Sequence, residues 1–270
     1  MSGPENLTII SPLREDDDRY DLRSQALMTK LAAAGDGHFW NRTRNLFIEH
    51  RLRSLGVRPG ARVLDLGCGG GCVSRHLSNA GYDVVGVEGH AALGRRAAQR
   101  APRAKFYVLD IGTMRDRLAP KDFDVVGMFD VIEHLDDPLR ALADALAACR
   151  PGGLVVGTVP ALQSLWSSLD EISGHRLRYE RGNLLELCER VPSGHVLEVN
   201  YFFRSLVPLL WLQRRAMKKE AEAPYSELDV PPAPINMALS AMVRLEHSLG
   251  KLLDKTPLPG GCLWFAIQRN

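Results

Sequence analysis

Two short stretches of the sequence carry side chains that could accept or orient a proton. In residues 130–138, His134 follows Glu133. An imidazole titrates near neutral pH when unperturbed, so His134 could act as a base toward a hydroxyl group. Residues 165–179 contain three further candidates for orienting or deprotonating an acceptor, namely Asp170, His175 and Tyr179. These residue types predict acid–base chemistry carried by two loops.

Each stretch also has a purely structural interpretation, which stays open at this point. Glu133 and His134 could shape their loop and cap the helix that follows. Residues 165–179 could form a self-contained network of hydrogen bonds, with Arg176 and Arg178 in ion pairs on its surface. A loop histidine takes part in chemistry only where the fold sets it beside a substrate.

A glycine-rich stretch, residues 63–71, predicts the element that would position these loops. An apolar run containing Asp65 is followed by Gly67, Gly69 and Gly71. A short apolar run of this kind is typical of a buried parallel strand. The glycines allow the backbone to turn sharply and to approach a ligand closely before a helix begins. The stretch therefore predicts a cradle for a nucleotide-type cofactor.

Two further predicted strands end in an acidic residue. Residues 83–88 end at Glu88, and residues 104–110 end at Asp110. Glu88 lies at about the twenty-residue offset at which an acid meets ribose hydroxyls in dinucleotide-binding folds. Taken singly, each acid suits a helix cap or a solvated carboxylate. Because ligands of open parallel sheets collect at the carboxyl ends of strands, the set with Asp65 predicts one binding rim.

The acid-x-Gly-x-Gly-x-Gly spacing of residues 65–71 resembles the first motif of the class I S-adenosylmethionine (SAM)-dependent methyltransferases. Residues 130–138 resemble a second signature of these enzymes, and the Pro-Gly-Gly turn at 151–153 matches them too. The resemblance implies that the strand ends bind SAM and that S-adenosylhomocysteine leaves as the product. The residues that it places on the cofactor are Asp65, Gly67, Cys68, Gly69 and Gly71 at the amino-acid end, Glu88 and Gly89 at the ribose, Asp110 and Ile111 at the adenine, and Phe129, Asp130 and Val131 at the methionine part.

An aromatic and an arginine precede the first of these strands. Residues 38–44 resemble the corresponding entry segment of the ubiquinone-type O-methyltransferases and related small-molecule enzymes. Trp40 and Arg44 fall on one face of a predicted helix. The resemblance implies that this face closes over the cofactor and that Arg44 pairs with its carboxylate. The alternative is an aromatic that packs on the core beside a surface arginine.

Composition limits the classes of function. The chain has 270 residues, of which 45% are hydrophobic and 24% charged, and this suits one globular domain with an attached lid. A net charge of +2 gives no support to a nucleic-acid partner. The cysteines are scattered without paired metal-ligand spacing, so we expect reduced thiols and no metal. A polar N-terminus and the lack of a long apolar run predict a cytoplasmic protein without a transmembrane segment.

Alternating strands and helices predict an α/β fold. We expect a Rossmann-like, doubly wound sheet of seven strands with a reversed last strand and helices on both faces. Residues 1–60 are predicted to form an N-terminal helical cap, with a mobile polar start over 1–18 and helices over 20–34 and 38–55. Residues 61–203 and 261–270 form the SAM-binding core, and residues 204–260 form a helical insertion over the active site.

The composition of the predicted insertion gives information about the methyl acceptor. Residues 201–212 are strongly apolar and are followed by basic residues, and a second apolar stripe at helical spacing runs through residues 235–253. These helices could simply pack on each other, or they could form an apolar acceptor pocket or touch a lipid surface as a peripheral membrane contact.

The predicted activity is transfer of the SAM methyl group to an oxygen, nitrogen or carbon of a small, hydrophobic acceptor, by a monomer or a homodimer. A SAM-binding sensor without turnover is one alternative. An NAD-dependent dehydrogenase is another, although the glycine spacing and Asp110 disfavour it.

Overall fold

A computed structural model describes residues 4–11, 35–114, 122–217 and 229–270 of the chain. The helix predicted over residues 20–34 lies outside these ranges, as do the basic residues Lys218 and Lys219 that follow the apolar run.

One mixed sheet runs through the described residues. Its strands, numbered along the chain, are β1 (Leu7–Ser11), β2 (Arg62–Leu66), β3 (Asp83–Glu88), β4 (Lys105–Leu109), β5 (Phe123–Phe129), β6 (Cys149–Pro160), β7 (Gly194–Phe202) and β8 (Cys262–Arg269). They stand in the order β1-β4-β3-β2-β5-β6-β8-β7. The last strand, β8, is antiparallel to both of its neighbours, and the other neighbouring pairs are parallel. The α/β class and the reversed last strand are confirmed.

The strand count differs from the prediction, because the described residues form eight strands and not seven. The additional strand is β1, in the segment that we predicted to be mobile and to belong to a helical cap. Leu7 pairs with Phe106 in parallel register, and the Asn6 side-chain amide donates to the carbonyl of Ala104 at 2.8 Å. A strand of five residues, three of them β-branched, thus covers the open edge of β4, and this pairing outweighs the polarity of the flanking sequence.

Nine helices lie within the described ranges. They are α1 (Phe39–Ser54), α2 (Cys72–Asn79), α3 (Ala91–Arg100), α4 (Pro138–Ala148), α5 (Ser168–Ile172), α6 (Arg181–Glu189), α7 (Val207–Met217), α8 (Ala233–Ser248) and α9 (Gly250–Leu253). Local signals set their starts. The His38 ring accepts from the Trp40 N–H before α1, and the Asp137 carboxylate accepts from the Arg140 N–H at 3.0 Å, with Pro138 in the first turn of α4.

Helices cover both faces of the sheet, as predicted. Two apolar clusters lie on the two faces. Val63 of β2 and Val125 of β5 belong to the first cluster, and their neighbours Leu64 and Val126 belong to the second. Successive strand side chains point to opposite faces, so each face has its own core. The first cluster contains side chains of α1, α2 and α3, and the second contains side chains of α4 and α6.

The helices α7, α8 and α9 lie between β7 and β8, and α8 packs on α1. Hydrogen bonds hold α8 against α1. The Asn236 side chain accepts from the Phe39 N–H at 2.8 Å, and Arg42 donates to Ser240 at 2.6 Å. The buried carboxylate of Glu246 accepts from the backbone N–H groups that start the insertion. The insertion is therefore fixed to the N-terminal helix as well as to the sheet.

The predicted apolar stripe of the insertion is a packing surface only in part. Val243 is buried, and Leu239 and Met242 pack partly against the core. By contrast, the stripe also contains side chains that are exposed to solvent, namely Ile235, Leu249 and Leu252. Among the described residues, no helix combines the length and the apolar character that a bilayer crossing requires.

Candidate active site

The glycine turn after β2 has a left-handed backbone. Gly67, Gly69 and Gly71 have φ values of 69°, 53° and 74°, which only glycine adopts freely. A Cβ at Gly67 would lie 2.7 Å from Val131, and one at Gly71 would lie 2.8 Å from Ala97. At Gly69 a Cβ would meet nothing within 4 Å. The first and third glycines allow close packing, and the middle one borders open space that a cofactor can enter.

Glu88, at the end of β3, closes this cradle. Its carboxylate oxygens accept from the Gly69 N–H at 2.8 Å and from the His90 N–H at 2.9 Å. Burial raises its pKa, and the hydrogen bonds from His90, Gly69 and Gly89 oppose the rise. Each carboxylate oxygen has a second lone pair. Glu88 can therefore tie down the turn and still accept from a ribose.

Asp65 lies beneath the turn and is 2% exposed. Its carboxylate accepts from the Ser74 hydroxyl at 2.5 Å, which braces α2 against β2. Burial raises the pKa of Asp65 to about 6, against the lowering effect of the Ser74 hydrogen bond. Cys68 is buried beside it, with its N–H on the Val87 carbonyl at 3.0 Å and a thiol pKa raised by burial. Both residues lie at the strand–turn junction, and their contact with the cofactor stays a prediction.

Asp110 and Ile111 lie on the same rim. Asp110 accepts from the Gly112 N–H at 2.9 Å and begins a short 3₁₀ turn, Ile111–Thr113. The Ile111 side chain comes within 3.6 Å of the position that a Cβ on Gly67 would take. Both residues are half-buried, so an adenine ring could reach them.

Arg44 does not stand free for a cofactor carboxylate. Its guanidinium forms an ion pair with Asp130, which also accepts from the Thr158 hydroxyl at 2.9 Å. Asp130 has a φ of 56°, unusual for a residue with a side chain, and its N–H donates to the Thr158 carbonyl at 2.9 Å. The arginine thus links α1 to the loop after β5. The neighbours Phe129 and Val131 are buried.

Trp40 is half-buried and packs at the start of the insertion. Its ring centroid lies 4.2 Å from that of Phe203, which is buried. One face of α1 thus meets the insertion through Trp40 and the β5 loop through Arg44. That this face covers the cofactor stays a prediction.

The two candidate loops meet at a pair of histidines. The rings of His134 and His175 lie edge to face, with centroids 4.8 Å apart. The Nδ1 atom of His134 lies 3.3 Å from the Gly174 carbonyl, and that of His175 lies 2.9 Å from the Asp170 carboxylate. Burial and the neighbouring His175 lower the pKa of His134 to about 4. The fold therefore brings the two candidates together and engages each ring through its Nδ1 atom.

Asp170 holds the second loop together. Burial alone would raise its pKa, but the hydrogen bond from His175 and the charge of Arg178 lower it to about 2. Its other oxygen accepts from the Ser167 N–H at 2.9 Å at the start of α5. Arg178 donates to Asp170 at 2.8 Å with a side chain that is 10% exposed, whereas Arg176 pairs with an exposed aspartate, as in the structural interpretation of this stretch. The loop is a self-contained network, and that network orients His175.

Tyr179 is not poised to contact an acceptor. It is 3% exposed, and its hydroxyl is enclosed without a hydrogen-bond partner in the part of the chain that the structure describes. Burial raises its pKa. Its backbone N–H donates to the Pro160 carbonyl at 2.9 Å, which turns the side chain into the core cluster of the second face. Tyr179 is a core residue.

Sequence reasoning missed Glu133. This carboxylate has no solvent exposure, and neither of its oxygens has a hydrogen-bond partner among the described residues. Burial raises its pKa well above the usual value, and the nearby charge of Asp130 adds to the rise. One ligand-type atom from each of Glu133, His134 and His175 lies within 4.8 Å of the others. The adjacent Glu-His pair was visible in the sequence, but its meeting with the second loop was not.

Comparison with known proteins gives a family match. A family model described as "Methyltransferase domain" matches residues 39–205. A curated relative from Rhodopseudomonas palustris, named ubiquinone biosynthesis O-methyltransferase, is 32% identical over 121 residues, covering 44% of this chain and 47% of the relative. A relative of the same name from Cereibacter sphaeroides is 35% identical over 106 residues, covering 36% of this chain and 40% of the relative. The chain spans about half the length of the curated relatives it matches, or less.

Solved structures show the same fold. A methyltransferase bound to the Haloferax volcanii Trm112 methyltransferase activator superposes with a TM-score of 0.60 at 18% identity, covering 92% of this chain and 98% of that one. The phosphoethanolamine N-methyltransferase 2 of Haemonchus contortus, in complex with SAM, gives 0.54 at 21% identity, covering 84% and 52%. At such identities the likeness concerns the fold.

Proposed function

Because this chain belongs to the methyltransferase-domain family, we propose that it transfers the methyl group of SAM to a small apolar or lipid-like acceptor. The resemblance carried by the sequence motifs is confirmed by the family match, and SAM is the cofactor. The observation that carries the activity is the juxtaposition of the open cradle with the histidine pair. Gly67 packs against Val131, which directly precedes the 3₁₀ turn Ile132–His134.

The residues at the cradle fit SAM. Open space borders Gly69, Glu88 keeps acceptor capacity, and Asp110 and Ile111 are accessible on the same rim. We assign the amino-acid end to the glycine turn, the ribose to Glu88 and the adenine to Asp110 and Ile111. When bound, SAM supplies a methyl group on a positively charged sulfur.

On the acceptor side, we assign contact with the reacting group to His134 and His175. Asp170 is a positioning residue, because it acts through the Nδ1 atom of His175. In the transfer, the methyl–sulfur bond breaks as the bond to the acceptor atom forms, and a hydroxyl acceptor gives its proton to the imidazole of His134 or His175. Most of the acceleration comes from proximity and alignment of the two reactants. The curated relatives are named O-methyltransferases, which favours an oxygen acceptor here.

An apolar acceptor is supported by the insertion. Among the described residues, all of the exposed large hydrophobic side chains other than Ile9 and Leu197 lie in residues 204–260. A cavity of about 460 Å³ lies between the insertion helices, with Val207, Met242 and Leu249 among its lining residues. The helix α7 also contacts the turn Gln163–Leu165, which leads into the loop of Asp170 and His175. An apolar surface thus adjoins the acceptor loop.

We also propose a cytoplasmic location. All of the cysteines are free thiols, which suits a reducing compartment. Cellular fractionation of the tagged full chain tests this, and recovery with the membrane pellet would instead favour peripheral contact with lipid.

Transfer of label from methyl-labelled SAM to a metabolite extract, partitioned between organic and aqueous phases, tests the activity. The inactive control is Gly69→Arg, which fills the cradle. The matched control is Gly60→Arg, since Gly60 also has a left-handed φ, 92°, and open space, but lies in the turn before β2. We expect label in the organic phase with wild type and Gly60→Arg, and none with Gly69→Arg.

The other outcomes are equally informative. Label in the aqueous phase alone would overturn the apolar acceptor. No transfer, with S-adenosylhomocysteine binding intact across extracts from several sources, would overturn turnover and leave a SAM-binding sensor. Tighter binding of NAD than of S-adenosylhomocysteine would overturn the methyltransferase assignment.

A further inference from the structure

One face of α8 points into solvent although it is mostly apolar. Residues three and four positions apart share one face of a helix. The exposed face of α8 consists of Pro234, Met237, Ala238, Ala241, Arg244, Leu245 and Ser248. By contrast, the side chains that α6 exposes are Arg181, Asn183, Glu186 and Glu189. Because Met237 and Leu245 are 68% and 64% exposed, the α8 face is an apolar surface of the kind that another molecule covers.

We propose that a second copy of this chain covers this face, with the two α8 helices packed antiparallel about a two-fold axis at Ala241. In a two-fold contact the same patch meets itself, so its large side chains must face small ones. Leu245 lies about one turn after Ala241, and the axis therefore sets it against the partner's Ala238. The alanines at the centre allow the helix axes to approach to about 8 Å. The order of large and small residues on this face is thus self-complementary.

The charge on this face selects the antiparallel orientation. Arg244 is the one exposed charged residue of α8. In an antiparallel pair centred on Ala241, the two arginines are separated by six residues of helix rise, about 9 Å along the axis. Each can lay its stem over the partner's Met237 and keep its guanidinium in water. A parallel pair would place the two like charges side by side, which is unfavourable.

The opposite face of α8 disfavours a lipid surface as the occupant. Helices that lie on a bilayer have Lys and Arg on the polar face opposite their apolar one. In α8 the opposite face packs on α1 and contains Ser240, Val243 and Glu246, all of them buried. The exposed arginine lies within the apolar face instead. This arrangement fits a protein surface better than a bilayer.

A neighbouring cavity enlarges the contact. With 16 residues, α8 spans about 24 Å and by itself covers less than the roughly 800 Å² per partner of a standard interface. Leu249 and Leu258 extend the exposed apolar surface, and with Leu245 they line the cavity of about 460 Å³. In the antiparallel pair the partner's Pro234 lies over Leu249 and closes this side of the cavity. On the proposed function, on which this last step rests, the partner thus completes the apolar acceptor pocket.

Sedimentation velocity of the purified full chain, from nanomolar to high micromolar concentration, tests the contact. Because the contact is small and each copy has its own core, we expect a folded monomer that dimerises in the micromolar range. Ala241→Glu places two carboxylates together at the axis and should weaken dimerisation at least tenfold. Gln99→Glu is the matched control, since it adds the same charge at an exposed position of α3 and should change nothing.

Disulfide trapping tests the orientation. With copper phenanthroline as the oxidant, Ala241→Cys should form a cross-linked dimer. Met237→Cys and Leu245→Cys should cross-link to each other when mixed, with a tag on one chain to identify the pair. Neither should cross-link to itself, because eight residues of rise, about 12 Å, separate each position from its own copy. Wild type, whose cysteines are buried or half-buried, and Glu186→Cys on α6 are the controls and should give no cross-link.

The remaining outcomes decide against the contact or against the activity. S-adenosylhomocysteine affinity is measured for every variant, and unchanged affinity shows that the fold is intact. A monomer at every concentration, dimerisation that Ala241→Glu and Gln99→Glu weaken equally, or self-cross-linking of Met237→Cys would overturn the proposal. Binding of the monomer to vesicles of phosphatidylglycerol and phosphatidylcholine, without self-association, would also overturn it and indicate that α8 faces lipid. Dimerisation without methyl transfer would refute the proposed activity alone, whereas transfer by a protein that stays monomeric would refute the dimer alone.

Discussion

The Glu88 carboxylate accepts a hydrogen bond from the Gly69 backbone N–H at 2.8 Å, so the acid that ends β3 holds the turn that follows β2. Glu88 is 8% exposed, and its other oxygen accepts from the His90 N–H. One side chain therefore shapes the backbone at the cradle and stands ready for a ribose.

Replacing Glu88 should weaken cofactor binding. We expect Glu88→Ala to lower the affinity for S-adenosylhomocysteine at least tenfold, about the scale of one lost charge-assisted hydrogen-bond pair. Glu88→Gln keeps one acceptor oxygen, so its affinity for S-adenosylhomocysteine should lie between those of wild type and Glu88→Ala. Isothermal titration calorimetry measures the affinities, and Glu186→Ala, at an exposed position on α6, serves as control. Wild-type affinity in Glu88→Ala would show that the ribose assignment is wrong.

The stability of the cofactor-free protein should depend on the titration of Asp65. Its folded-state pKa of about 6 lies above the ordinary value of 3.8, so the native state binds the extra proton. Stability therefore falls as the pH rises from about 4 to about 6 and is level above that. Over this range the unfolding free energy falls by about 2 to 3 kcal/mol because of Asp65.

The variant Asp65→Asn isolates this effect. Urea unfolding at several pH values should show Asp65→Asn gaining stability relative to wild type as the pH rises through this window, while its affinity for S-adenosylhomocysteine drops. A difference between the two proteins that does not change with pH would contradict the raised pKa of Asp65.

The Arg44–Asp130 ion pair should couple α1 to the loop after β5. Both side chains are largely buried, so we expect Arg44→Met and Asp130→Asn each to cost about 1 to 3 kcal/mol in unfolding free energy, and the double variant less than their sum. Cofactor titration adds a second test. If Arg44 also binds the cofactor carboxylate, Arg44→Met should weaken SAM binding more than Asp130→Asn does. Additive unfolding energies would show that the pair contributes no coupling.

The exposed apolar surface of the insertion should matter for the acceptor and not for folding. Leu245 is 64% exposed and Leu252 is 64% exposed. We expect the Leu245→Ser/Leu252→Ser double variant to change the unfolding free energy by less than about 1 kcal/mol and to raise the KM for an apolar acceptor. Val243→Ala, at a buried position of α8, should do the opposite and cost about 1 to 3 kcal/mol in unfolding free energy. An unchanged KM in the double variant would leave this surface without a role in acceptor binding.

Substitutions of His175 and Tyr179 should have very different effects on the rate of methyl transfer, although both residues lie in one loop. His175→Ala should reduce the rate of methyl transfer about a hundredfold while S-adenosylhomocysteine affinity is kept. Tyr179→Phe should leave the rate and the affinity near wild type, because the tyrosine hydroxyl has no hydrogen-bond partner among the described residues. Single-turnover rates with the identified acceptor measure both. A large loss in Tyr179→Phe would show that its hydroxyl reaches the reacting group.

Local sequence determined much of the framework. The strand over residues 83–88 has the predicted bounds, and the helix predicted over residues 38–55 is found at Phe39–Ser54, since apolar runs and terminal residues act through neighbours in the chain. The glycines of the cradle were likewise identified from their spacing, because a left-handed turn restricts residue type directly. Resemblance to a known family then assigned these elements to SAM.

Tertiary structure alone decided the long-range pairings. The strand β1 is stable only because β4 offers it an open edge, so its short sequence did not distinguish it from a mobile segment. Arg44 meets Asp130 and Tyr179 turns into the core because of how distant elements pack. Likewise Glu133 and His134 were visible as neighbours, but His175 reaches them only when β5 and β6 stand side by side and their loops meet at one edge of the sheet. Sequence separation carries no information about such a meeting, and so the chemistry of this rim follows from the fold.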